Sequence, residues 1–147
     1  MARSIDDQLQ ISELRQTVES LSSQLSDMKD LLFTFSQCAE FRTDKPYLSA
    51  LVRNMIGGEQ RRTLEMVISI VLFRAQGQDL PHLDSRYVSQ HPAIAEAYVS
   101  RPIDGEEAIR LIAMVVGSES VAQEILDAHR SSGMGAAGHE ALAATCR

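Results

Sequence analysis

The chain has 147 residues, a net charge of −6 at pH 7, 44% hydrophobic residues and no Trp. That length fits one compact domain plus an extended helix, and the apolar content suffices for a packed core, which excludes a mainly disordered chain. The acidic balance weighs against binding to nucleic acid or an anionic membrane, and only residues 46–86, with five Arg against four acids, carry a basic excess.

The first element is predicted as one helix over residues 5–42. With Ile11 at heptad position a, Val18, Leu25 and Leu32 are also a, and Leu14, Leu21, Met28 and Phe35 are d. The 3-4 spacing holds for four heptads without a polar interruption, which favours a coiled coil over an ordinary amphipathic helix. The competing reading lays this stripe on the chain's own core. A helix of that length spans ~57 Å, and no later segment is long enough to return along it without a Gly or Pro break. Ser20, Ser22, Ser23 and Ser26 are mediocre helix formers, so the segment needs a packing partner. Ile and Val at a with Leu at d favour a parallel dimer in the first half. The second half and the flanking positions specify neither orientation nor stoichiometry, so trimer and tetramer stay open. Leu31 and Phe33 widen the stripe, which suggests that the seam merges into the body there. On the same helix, Ser26-Asp-Met-Lys29 has the S-x-x-K spacing of some acyl-transfer enzymes, but a coiled coil offers it no pocket.

Residues 44–131 then read as a compact helical domain. Thr43-Asp44-Lys45-Pro46 ends the first helix and starts a second, about Tyr47 to Ile56, which Gly57-Gly58 terminates. Glu59 to Gln76, apolar nearly all round, is the expected central buried helix. Arg53, Arg61 and Arg62 flank its N-terminus as a candidate anion or nucleic-acid patch. Without interleaved aromatic residues, a solvated face paired with Glu59 and Glu65 is the plainer reading.

Residues 77–84 form a loop, in which Asp79, His82 and Asp84 with His91 match no standard metal spacing. A short helix is expected over part of Ser85 to Gln90, another after Pro92, and a third from the capping-box-like Asp104-Gly-Glu-Glu107 to about Val116. Gly117-Ser118 turns the chain, and Ser120-x-x-Gln123 supports a helix ending near Arg130. The helix pair around Gly117 has helix-turn-helix spacing, but Glu119, Glu124 and Asp127 suit a phosphate-lined groove poorly. It reads better as a protein-binding face with Met114, Val115, Glu119 and Glu124 as contacts. Residues 132–147 read as a flexible small-residue tail. Its GMGAAG lacks the strand and the βαβ unit a dinucleotide needs, and His129 and His139 read as isolated and exposed.

The expected architecture is all-α: a long N-terminal coiled-coil helix followed by a small helical bundle. Cys38 and Cys146 stand alone as free thiols of a reducing compartment. The N-terminus lacks the apolar core of a signal peptide. The apolar run Met66–Phe73 is too short to span a bilayer. A cytoplasmic protein is therefore expected, and Arg outnumbering Lys twelve to two suggests a GC-rich, bacterial genome. No catalytic residue, cofactor or metal is assigned. The expected function is a non-enzymatic, homo-oligomeric regulator or adaptor that pairs with itself through the coil and binds another protein through its body. The alternatives are a DNA-binding regulator dimerised by the coil and a small acidic chaperone for a client protein.

Overall fold

The computed structural model describes residues 2–40 and 44–145. Within them lie eight helices and no strand, led by one long helix, so the chain is all-α. The long helix, α1, runs Ala2–Glu40, 39 residues. The expected end at Arg42, Thr43 of the following turn, and Cys146 lie outside the described residues.

Pro46 opens α2 (Pro46–Arg53), where a fixed φ helps and a missing N–H costs nothing. The helix stops short of the expected Ile56 because Met55 adopts the left-handed φ of 56°. Next comes α3 (Gly58–Ala75), with Leu64, Val67, Ile68, Ile70, Val71 and Leu72 buried. It is apolar nearly all round because α1, α5, α6 and α8 all pack on it. Near its end the Arg74 guanidinium, itself buried, donates to the carbonyls of Ala97, Arg101 and Pro102 and to Glu107. A buried cation with all three of its nitrogens engaged fastens the α5–α6 connection to the core.

The shorter helices follow their caps. The Asp84 carboxylate accepts from the Arg86 and Tyr87 amides to start α4 (Ser85–Gln90), and Pro92 starts α5 (Pro92–Ala97). Asp104 accepts from the Glu107 amide at the head of α6 (Gly105–Val116). The cap of α7 (Glu119–Ser131) is Ser118, accepting from Val121, in place of the expected Ser120. The hydroxyl of Ser120 bonds that of Ser118 instead.

The small-residue segment behaves differently from its composition. Ala136–Ala144 forms α8, seated against α3 with Gly138, His139 and Leu142 buried. A methyl added to Gly138 would lie 2.7 Å from Leu72 Cβ, so the absence of a side chain is what lets the two helices approach. Composition alone cannot distinguish such a close-packed stripe from a tail.

Candidate functional site

Along α1 the eight a and d residues form one continuous exposed row. Their exposure runs from 50% at Ile11 to 65% at Leu32, with Leu14, Val18, Leu21, Leu25, Met28 and Phe35 between. Together they present on the order of 900 Å² of apolar surface, where the largest patch on an ordinary monomer is ~300–600 Å². A stable dimer needs about 800 Å² from each partner.

The body docks on a different face of the same helix. Leu31 packs on Gly57, where an added methyl would sit 2.6 Å from Leu31 Cγ. Asp30 Oδ2 accepts from the Gly58 amide at 3.0 Å, and Asp27 fills the space a Gly58 side chain would occupy. Thr34 is buried and accepts from Arg61 Nη1 at 2.7 Å, and Cys38 is buried beside Ser49. At 3.6 residues per turn, this docking face lies about 140° round the helix from the a/d row. The expected merging of seam and body therefore does not occur. Leu31 turns inward, whereas Phe33 stays 61% exposed along with Met28, Leu32 and Phe35.

The same contact bears on the arginine patch. The anion at the N-terminus of α3 is the chain's own Asp30 carboxylate, drawn by the free amide and the helix dipole. Arg61 pairs with Glu65, Arg62 with Glu59, and Arg53 with Glu124. Each guanidinium has a carboxylate partner, so the three do not form an open cationic site.

The expected protein-binding face is divided. Met114 and Glu119 are exposed and Val115 is half-buried, with the Val115 carbonyl accepting from Gln60. Glu124 belongs elsewhere: it accepts from Arg53 and from Asn54 Nδ2, joining α7 to α2. Those hydrogen bonds, Arg53's foremost, hold its carboxyl below the usual carboxylate range. Because α7 spends this side on α2, it does not stand free as a recognition helix.

Two features escaped the sequence reading. The first is a groove of about 940 Å³ between α6, α7 and α8, floored by Ile109, Leu126 and Leu142 and edged by carboxylates. The second is a histidine pair. His129 Nδ1 lies 2.8 Å from His139 Nε2, and His129 meets the Tyr47 ring edge to face at 5.0 Å. His139 is buried and His129 half-buried, which corrects their expected exposure. Burial, reinforced by His139, holds His129 down to about 4. Burial likewise lowers His139, with Arg130 adding to the effect. The available signal was the helical spacing of Gly135, Gly138, His139 and Leu142, at i, i+3, i+4 and i+7. It is faint because glycine carries no hydropathy.

The loop residues have local roles: Asp84 caps α4, His91 meets the Tyr87 ring at 4.7 Å with the two planes tilted by 57°, and His82 is exposed. Among the described residues no group of three or more His, Cys, Asp or Glu is placed to hold a metal, and no helix is long and apolar enough to cross a membrane. No family model, curated protein or solved structure matches the chain.

Proposed function

We propose that this protein is a self-associating regulator or adaptor: two copies pair along the a/d row of α1, and the helical body binds another protein. One observation carries the first half. The row from Ile11 to Phe35 is exposed throughout, although the body packs on another face of the same helix. An apolar surface of that extent stabilises strongly when a second helix covers it. The separation of the two faces supports pairing as well, because a second α1 can lie on the row without displacing either body. Pairing also brings two copies of any binding face together, which raises effective concentration for a repeated or dimeric partner.

The test is the solution mass by light scattering of the full chain and of a Leu21→Glu, Leu25→Glu variant. The expected result is a dimer for the first and a monomer for the second. Charges at a and d positions carry a desolvation cost that a paired seam cannot absorb. A monomeric full chain, or a variant whose mass is unchanged, would remove the seam as the joint.

A further inference from the structure

The groove between α6, α7 and α8 has a chemistry that specifies its occupant, taking as given the reading that the body binds another protein. Its floor is apolar, from Ile109, Leu126 and Leu142, and its rim carries Glu106, Glu119 and Asp127. Several neighbouring charges are already engaged. Glu107 holds Arg74 and Arg101, Arg110 holds Glu96, and Asp104 caps α6. Glu106 and Glu119 have no ion-pair partner among the described residues, and Asp127 accepts from the neutral Gln123 amide. The one opposing charge not engaged in this way is Arg130, beside His139 at the α8 end.

We propose that this groove receives a cationic amphipathic helix of a partner protein. Its apolar stripe would rest on Ile109, Leu126 and Leu142, with Lys or Arg on its flanks meeting Glu106, Glu119 and Asp127. The length fits: α6 and α7 are 12 and 13 residues long, so the trough they form matches about three turns of helix. The dimensions also fit a chain element better than a small molecule, since the groove is an open trough along α6 and α7 that α8 borders, where a further helix would pack in a bundle. Charge argues against a second copy's α1 as the occupant. That helix carries Asp6, Asp7, Glu13 and Glu19 over its outer half against Arg3 and Arg15, and acid would face acid.

The experiment uses the full-length protein and a fluorescein-labelled Leu/Lys peptide of about 18 residues patterned as an amphipathic helix. A scrambled peptide of equal composition and charge is the control. Anisotropy should show the patterned peptide binding about tenfold or more tightly than the scrambled one, and weakening as salt rises. Reversing the rim with Glu106→Lys, Glu119→Lys and Asp127→Lys, all exposed positions, should cost about tenfold in affinity with the solution mass unchanged. Hydrogen exchange should show new protection in α6, α7 and α8. Equal binding of the scrambled peptide, undiminished binding by the rim variant, or protection confined to α1 overturns the proposal. None of these outcomes bears on the mass measurement, so the two ideas fail separately.

Discussion

In the body, Leu51, Leu64, Ile70, Ile94, Leu111 and Ile125 are sealed from water, whereas along α1 residues of the same chemistry stand more than half exposed at most positions. Hydrophobicity does not separate the two sets; the supply of neighbours does. The body helices pack on one another within one chain, with α3 at the centre against α1, α5, α6 and α8. Among the described residues the body meets α1 from Asp27 to Cys38, and the outer half of the helix has no such neighbour. A core closed within one chain makes stability a property of that chain. On the pairing proposed above, the apolar row left open ties the order of α1 to a second molecule.

The largest effect expected from this contrast is in the Leu21→Glu, Leu25→Glu variant. An isolated helix with this serine content is marginal in water. Amide exchange over residues 5–25 should therefore accelerate on the order of 100-fold while Leu64–Leu72 stay protected. Equal protection in both segments would mean that α1 is ordered without a partner, and the contrast would lose its meaning.

Next is the fastening of the body itself. Arg74→Met leaves three carbonyls without their donor and frees Glu107 from one of its two arginines. The expected loss is about 3 kcal/mol in urea unfolding at fixed protein concentration. A loss below ~1 kcal/mol would mean that the guanidinium is replaceable by packing.

The joint between the two regions is sensitive to a single methyl. A methyl from Gly57→Ala would lie 2.6 Å from Leu31 Cγ and 2.9 Å from Cδ2, so the Leu31 side chain must shift. It should destabilise by about 1–3 kcal/mol, most visibly as faster exchange at residues 27–38.

The smallest effect is set by pH and bears on α8. Both imidazoles are held neutral in the folded chain, His129 down to about 4, whereas an unfolded histidine titrates near ~6.5. The unfolded chain therefore binds protons first. Stability is complete above that value and declines as pH falls toward 4. Because His129 is half-buried, the expected loss is on the order of 1–2 kcal/mol. Glu124, with its lowered carboxyl, adds its own loss only at lower pH. Unfolding melts across this window should flatten in a His129→Gln, His139→Gln variant, and an unchanged slope would assign the effect elsewhere.

Much of the architecture was legible because its signals are local. Heptad spacing marked α1, Pro46 and Pro92 marked helix starts, and Asp104 marked a cap whose partner three residues on is part of the same turn. The eight row residues were likewise readable, being defined by spacing alone. The functional surfaces of the body were not. Arg53 and Asn54 lie 71 and 70 residues from Glu124 in sequence. No local pattern links them, so Glu124 read as free. Gly57 and Gly58 read as a helix stop, which they are, but their use as the seat for Leu31 and Asp27 arises only when α1 lies against them.

The amino-acid sequence by itself determined helices α1 to α7, their approximate ends and the apolar row on α1, because each follows from the periodicity and conformational preferences of neighbouring residues. Tertiary structure alone decided which face of α1 meets the body, that Asp30 takes the anion position on α3, that Arg53 pairs with Glu124, and that Gly138 seats α8 on Leu72. Those are matters of which side chains from distant segments share a small volume, and close packing settles them only once all the helices are present together.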